Sequence, residues 1–124
     1  MTATPFVILY VEDSVIIRES FAEVLAAADR RIVCVADGAG ARAALRAQKV
    51  DLLLTDIELP DGSGLDVARQ ALQQDPELPV IVCSGHDMSD AVRSLGPTAH
   101  ALRKPFDPDD LEALVERLSR STTP

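Results

Sequence analysis

The feature of this sequence that most constrains its fold is the alternation of short apolar runs with longer amphipathic segments. Five runs are continuously apolar rather than alternating, at Phe6–Val11, Ile32–Ala36, Leu52–Thr55, Val80–Cys83 and, more weakly, Ala101–Leu102. Strands with this pattern are covered on both faces, as in a parallel sheet between two layers of helices. Five strands alternating with helices predict an α/β domain whose crossovers are right-handed.

The segments between these runs carry apolar residues at helical spacing, which we interpret as core-facing stripes. The first helix is predicted to bury a face formed by Ile17, Phe21, Val24, Leu25 and Ala28. Asp87 is a candidate N-cap of a short fourth helix that ends at Gly96-Pro97. Asp107 is a candidate N-cap of the fifth helix, with Pro108 at the first helical position.

Length and charge narrow the class of protein. The 124 residues are a one-domain length, and we treat 1–124 as a single domain with a core of about residues 5–121. The net charge of −8 argues against nucleic-acid binding, which uses clustered Lys and Arg. No apolar run approaches the roughly 20 residues of a membrane span, and no signal sequence opens the chain. We therefore expect a cytoplasmic protein with no membrane or nucleic-acid partner. Cys34 and Cys83 lie within apolar runs, so we expect both to be buried small hydrophobes.

Residues with distinctive chemistry stand where the predicted strands end. In chain order they are Glu12-Asp13, Asp37, Asp56, Ser84 and Lys104-Pro105. A sheet order of 2-1-3-4-5 would bring them together at the carboxyl edge, where open parallel sheets hold their ligands. Carboxylates this close repel one another unless a cation lies between them, and Mg²⁺ takes carboxylate and phosphate oxygens as ligands.

This set of side chains fits phosphoryl transfer. A carboxylate such as Asp56 can attack phosphorus to form an acyl phosphate. The reaction then depends on positioning and on positive charge beside the phosphoryl oxygens. Lys104 and Mg²⁺ would supply that charge, and the Ser84 hydroxyl would donate a hydrogen bond.

Over essentially its whole length the sequence resembles the response regulator receiver domains of bacterial two-component signalling. The motifs that carry the resemblance are Glu12-Asp13, Asp56 followed by Pro60 and Gly64, Ser84-Gly85, and Lys104-Pro105-Phe106. The resemblance implies a flavodoxin-like (βα)5 three-layer sandwich with a parallel sheet of order 2-1-3-4-5. It also implies a cis peptide bond before Pro105.

The resemblance assigns a role to each site residue. Asp56 matches the aspartate that takes a phosphoryl group from a phosphohistidine on a sensor histidine kinase or a histidine phosphotransfer protein. Ser84 and Lys104 match the residues that contact the phosphoryl group. The ligands implied for Mg²⁺ are Glu12, Asp13, Asp56 and the backbone carbonyl of Glu58. The Glu58 side chain is either solvated or close to the water that hydrolyses the acyl phosphate.

One position departs from the family pattern. Family members commonly carry Tyr or Phe three residues before the lysine, where this chain has Ala101. The usual coupling between the hydroxyl residue and a turning ring is therefore missing. We expect the signal to pass to a downstream protein through protein–protein contact, with phosphorylation felt in the loop Ser84–Asp90. An alternative is a phosphotransfer or interaction module with little conformational switch.

We expect the domain to catalyse only its own phosphorylation and dephosphorylation and not to act as an enzyme on a separate substrate. Two further alternatives are a phosphatase and a flavin-binding protein. An aspartyl-phosphate phosphatase of the haloacid dehalogenase type would want a second Asp two residues after the nucleophile, where Glu58 stands. A flavodoxin would need a hydroxyl- and Gly-rich phosphate loop where Glu12-Asp13-Ser14-Val15 stands.

Overall fold

A parallel five-stranded sheet forms the centre of the molecule in the computed structural model, which describes residues 5–26 and 29–121. Its strands are β1 (Phe6–Val11), β2 (Arg30–Val35), β3 (Leu52–Asp56), β4 (Val80–Ser84) and β5 (Ala99–Arg103). The spatial order is β2-β1-β3-β4-β5, and every pairing is parallel. This order confirms the predicted topology.

Helices cover both faces of the sheet. They are α1 (Val15–Leu25), α2 (Gly38–Ala47), α3 (Gly64–Gln74), α4 (Ser89–Arg93) and α5 (Pro108–Ser121). Apolar side chains of α2, α3 and α4 pack with Leu9 and Leu53 on one face. Those of α1 and α5 pack with Ile8 and Leu52 on the other, because adjacent strand residues point to opposite faces. Among the described residues, no helix is long and apolar enough to cross a membrane.

A short antiparallel ribbon connects β3 to α3. It consists of Glu58–Leu59 paired with Gly62–Ser63. Leu59 is buried in the core beneath α2 and α3, while the turn at the tip of the ribbon is exposed. The ribbon therefore leaves the sheet directly after Asp56 and returns to it at the start of α3.

The predicted buried face of α1 is wrong at two positions. Ile17 and Val24 are exposed, whereas Leu25 is buried and Phe21 packs against the α5 side of the core. Ala28 lies outside the described residues. Successive helix residues point about 100° apart, so the three consecutive apolar residues that open α1 cannot all face the sheet.

The two cysteines have different environments. Cys83 is buried in β4, as predicted. Cys34 is exposed, so the prediction for this residue is wrong. The reason is position, because β2 pairs with β1 alone and lies at the edge of the sheet.

The helix ends follow the sequence signals only in part. Asp87 does not cap α4, whose N-cap residue is Met88; its carboxylate accepts the backbone N–H of Ser89 at 3.0 Å and forms a local turn. Gly96 follows α4 with φ of +128°, a conformation that favours glycine. Helix α5 begins at Pro108, as predicted.

Candidate functional site

Three carboxylates converge at the carboxyl edge of the sheet. Strands β1 and β3 are neighbours with Val11 opposite Thr55, so the residues that follow, Glu12 and Asp56, lie side by side. Oxygens of Glu12, Asp13 and Asp56 lie within 4.8 Å of one another. We call these three residues the acidic cluster. Oxygen donors at this spacing could hold a hard cation.

Glu12 is the most constrained member of the acidic cluster. It is 3% exposed, and its side chain accepts the backbone N–H of Ser14 at 3.1 Å. Its own backbone N–H donates to the Val35 carbonyl, and its carbonyl accepts the Arg18 guanidinium at 2.9 Å. Burial raises the pKa of Glu12, and the nearby charge of Asp56 raises it further. A cation in the cluster would offset both effects.

Lys104 provides the positive charge of the site. Its ammonium Nζ lies 3.1 Å from Oδ1 of Asp56, and the two side chains are 34% and 14% exposed. The backbone positions it, because the Lys104 N–H donates to the Ser84 carbonyl at 2.7 Å. The peptide bond to Pro105 is cis, as predicted. Burial alone would lower the pKa of Lys104, but the hydrogen bond and charge of Asp56, with the charge of Glu12, raise it.

Ser84 ends β4 on the same side of the sheet. Asp56 pairs with Cys83 in the register of β3 and β4, which places Ser84 one step beyond Asp56. Ser84 is buried, and its hydroxyl oxygen accepts the His86 N–H at 3.0 Å. Accepting that bond leaves the hydroxyl proton able to donate to a group at the site.

The backbone around Asp56 is packed more tightly than sequence reasoning foresaw. The Thr55 hydroxyl donates to the Asp56 carbonyl at 2.8 Å, and the Ile57 N–H donates to the Cys83 carbonyl. A Cβ on Gly64 would lie 2.1 Å from the Asp56 carbonyl oxygen. Position 64 therefore requires glycine, because a side chain there would clash with the backbone carbonyl of Asp56. The sequence signal that points to Thr55 is its place as a polar residue at the end of the apolar run Leu52–Thr55.

Asp37 does not join the acidic cluster, contrary to expectation. It is the N-cap of α2, and its carboxylate accepts the Gly40 N–H at 2.7 Å. Asp61, at the tip of the ribbon, accepts the N–H groups of Gly38 and Ala39 at 2.8 and 3.0 Å. These two hydrogen bonds hold the pKa of Asp61 below its ordinary value. We call Asp37 and Asp61 the α2 cap pair.

The remaining predicted positions lie around the site. The Glu58 side chain is exposed on the ribbon, and the role of its backbone carbonyl as a metal ligand stays a prediction. Ala101 is exposed on β5 and lines a cavity of about 270 Å³ together with Ser84 and Met88. Its small side chain leaves this space between β5 and the start of α4 unfilled.

The first turn of α1 carries exposed apolar residues. Val15 and Ile16, in the first turn of α1, are 53% and 79% exposed, and Ile17 is also exposed. They follow Asp13 by two to four residues in the sequence. Exposed apolar groups grouped at one place are typical of protein contact surfaces.

The fold and this arrangement of residues are those of a known family. The sequence model of the response regulator receiver domain matches residues 8–116. The chain therefore belongs to the response regulator receiver family.

Individual response regulators are similar to this chain in sequence. Response regulator protein PmrA of Pseudomonas aeruginosa is 37% identical over 118 residues, which cover 94% of this chain and 53% of that protein. The DNA-binding transcriptional regulator NtrC of Escherichia coli is 37% identical over 113 residues, covering 90% of this chain and 24% of that protein. The chain thus spans about half of the first relative and about a quarter of the second.

Solved structures show the same fold. A response regulator receiver protein from Sinorhizobium medicae superposes with a TM-score of 0.84 at 31% identity, covering 94% of this chain and 96% of that one. The chemotaxis response regulator CheY4 of Vibrio cholerae gives a TM-score of 0.82 at 24% identity, covering 93% of this chain and 99% of that one. At 24% identity, the likeness to CheY4 shows only that the two folds are similar.

Proposed function

We propose that this domain accepts a phosphoryl group on Asp56 from a phosphohistidine of a sensor histidine kinase or a histidine phosphotransfer protein. One observation carries the proposal. The Asp56 carboxylate lies 3.1 Å from the Lys104 ammonium, and one of its oxygens lies within 4.8 Å of oxygens of Glu12 and Asp13. A nucleophile that contacts a lysine ammonium and is itself part of a cation-binding cluster has the surroundings that phosphoryl transfer requires.

Mg²⁺ fits the donor set of the acidic cluster. Glu12, Asp13 and Asp56 offer only oxygen ligands, which this ion prefers, and the exposed position of Asp13 leaves room for the water ligands that it retains. We propose these three side chains as its ligands, with the Glu58 carbonyl as a fourth. When bound, Mg²⁺ would neutralise charge on the phosphoryl oxygens.

The residues of the chain then act in defined roles. An oxygen of Asp56 attacks phosphorus, the phosphorus–nitrogen bond of the phosphohistidine breaks, and its electron pair returns to the imidazole. The Lys104 ammonium pairs with a phosphoryl oxygen, and the Ser84 hydroxyl donates to another. Water later cleaves the acyl phosphate and restores Asp56. The domain thus catalyses only its own phosphorylation and dephosphorylation.

The donor and the downstream partner are proposed to be proteins. The exposed apolar residues Val15, Ile16 and Ile17, which follow the acidic residues Glu12 and Asp13 in the chain, support a protein contact there. We propose that the phosphorylated domain acts in the cytoplasm by contact with a further protein. The net charge of −8 supports a protein rather than a nucleic acid as that partner.

Intact mass spectrometry after incubation with acetyl phosphate and Mg²⁺ tests the acceptor. We expect one alkali-labile phosphoryl group on the wild type and none on Asp56→Ala. Asp66→Ala is the matched control, because Asp66 is an exposed carboxylate on α3 whose side chain contacts Arg69. A phosphoryl group that persists in Asp56→Ala would refute the assignment.

A second candidate is a phosphotransfer or interaction module with little conformational switch. The exposed Ala101 and the cavity beside it favour this reading, because none of the residues that line the cavity is a Tyr or Phe whose ring could turn on phosphorylation. The two candidates differ in whether a phosphoryl mimic changes the structure beyond the site. Membership of the receiver family argues against an aspartyl-phosphate phosphatase.

A further inference from the structure

We infer that Asp61 is a positioning residue that ties the ribbon to the first turn of α2, so that metal binding at the acidic cluster is coupled to α2. The inference rests on the proposed Mg²⁺ site, to which the ribbon contributes Glu58. Asp61 touches none of the reacting groups, and it acts through the backbone of the ribbon.

The contact between Asp61 and α2 is bidentate. Oδ1 accepts the Gly38 N–H at 2.8 Å and Oδ2 accepts the Ala39 N–H at 3.0 Å. With Gly40 bonded to Asp37, the first three backbone N–H groups of α2 all have carboxylate partners. The positive end of the helix dipole favours such carboxylates. A charged, two-point contact fixes the tip of the ribbon more firmly than one neutral hydrogen bond would.

Among the contacts of the described residues, the others that hold the ribbon lie at its base and in its middle. At its base, the Gly64 N–H donates to the Ile57 carbonyl at 2.8 Å. In its middle, Leu59 is buried in the core. The turn at the tip is followed by Gly62, which has φ of +149°, and a Cβ at this position would meet no atom within 4 Å. Removal of the Asp61 contact therefore frees the tip and loosens the backbone that follows Asp56.

Coupling of this kind is reciprocal. If the α2 contact steadies the ribbon for a bound metal ion, the bound ion must steady the same contact by an equal free energy. Mg²⁺ should therefore protect the amide protons of Gly38 and Ala39 from exchange with solvent. If the Asp61 carboxylate only stabilised α2, Mg²⁺ would protect Gly38 and Ala39 no more than it protects other amides of α2 through the general stabilisation of the fold.

The test compares Mg²⁺ affinity and amide exchange in Asp61→Ala, Asp61→Asn and wild type. Affinity is read from the fluorescence of Tyr10, the only tyrosine in a chain without tryptophan, which lies two residues before Glu12. Exchange at Gly38 and Ala39 is read by NMR with and without Mg²⁺. We expect Asp61→Ala to bind Mg²⁺ about tenfold more weakly, the lower end of the loss when an outer partner of a metal site is removed.

The variants separate positioning from general destabilisation. Asp61→Asn keeps one oxygen that can accept one of the two N–H groups, so its affinity should fall between those of wild type and Asp61→Ala. Asp66→Ala removes an exposed carboxylate from the first turn of α3 and should match wild type in both measurements. Mg²⁺ should slow exchange at Gly38 in wild type and not in Asp61→Ala.

Each outcome decides the matter. Asp61→Ala with wild-type Mg²⁺ affinity, or equal Mg²⁺ protection of Gly38 in both proteins, overturns the coupling while leaving the metal site intact. A wild type that binds no Mg²⁺ overturns the proposed metal site and, with it, the coupling. An affinity loss in Asp66→Ala as large as in Asp61→Ala would also overturn it.

Discussion

Two groups of carboxylates lie at the same edge of the sheet and behave in opposite ways. In the acidic cluster, Glu12, Asp13 and Asp56 face one another, and burial with the charge of Asp56 raises the pKa of Glu12. In the α2 cap pair, each carboxylate faces backbone N–H groups, which lower the pKa of Asp61. The partner of a carboxylate, and not its place at a strand end, therefore decides whether it is available to a cation.

Each group also has a glycine packed against it, and the two glycines differ. A Cβ on Gly64 would meet the Asp56 backbone carbonyl at 2.1 Å, and this carbonyl cannot move without displacing β3. A Cβ on Gly38 would meet side-chain atoms of Arg42 and Asp61 at 3.1 Å, and these can shift. The acidic cluster is thus built on rigid backbone, whereas the α2 cap pair is built on adjustable side chains.

Replacing each of these glycines by alanine should give the greatest difference in the free energy of unfolding. Gly64→Ala should lower the free energy of unfolding by about 3 kcal/mol, the upper end of the cost of overpacking, and should disturb Asp56. Gly38→Ala should change it by less than about 1 kcal/mol, since alanine is the better helix former. Urea denaturation measures both. Equal losses in the two variants would contradict the contrast.

Metal binding should separate the two groups next. Mg²⁺ at about 100 times its Kd should stabilise the wild type by about 2.7 kcal/mol, because it binds the folded state alone. Asp13→Asn should lose most of this gain, and without metal it should be at least as stable as wild type because repulsion is relieved. Thermal unfolding with Mg²⁺ and with EDTA measures both effects.

Asp37→Ala is the control for that experiment. It should lose about 1 kcal/mol through the missing helix cap while keeping the stabilisation by Mg²⁺. If Asp13→Asn bound Mg²⁺ and accepted phosphate as well as wild type, the acidic cluster would not be the metal site. If Asp37→Ala lost the response to Mg²⁺, the division into two groups would be wrong.

A smaller effect should appear in the pH dependence of the α2 cap pair. The pKa of Asp61 in the folded protein lies below its ordinary value of 3.8, so its contribution to stability is present above 3.8. That contribution is lost as the pH falls through the lower pKa of the folded state. The difference in unfolding free energy between wild type and Asp61→Ala should therefore be constant from neutral pH to about 4 and shrink below it. A difference that already declines between pH 7 and pH 5, measured by urea denaturation, would contradict the charged, bidentate contact.

The smallest expected effect concerns the signal on the β5 side. With beryllofluoride as a phosphoryl mimic, backbone NMR shifts should be concentrated in the loop Ser84–Asp90. The reason is that Ser84 can bond the phosphoryl oxygens, whereas Ala101 has no rotamer to change. Mg²⁺ alone serves as the control. Shifts at Ala99–Arg103 as large as those in the loop would indicate a relay that Ala101 does not provide.

Much of the fold could be predicted because its signals are local. Continuous apolar runs mark strands buried on both faces, and their alternation with helices leads to a parallel sheet. The single position of Pro108 predicts the start of α5, and the family resemblance implies the cis bond before Pro105; the structure has both. The face of α1 was mispredicted because an apolar run that nearly encircles a helix does not show which side meets the sheet.

The order of residues along the chain is enough to place acids, a hydroxyl and a lysine at the ends of the strands, and a sheet of this order gathers them at one edge. Which of the acids meet depends on the packing of the folded chain. Asp13 and Asp37 both follow strands, yet Asp13 joins Asp56 while Asp37 caps α2. Asp61 reaches Gly38 across 23 positions of the chain. Such contacts depend on how separate elements pack, because a carboxylate bonds to whichever donor or cation lies close to it in the folded protein.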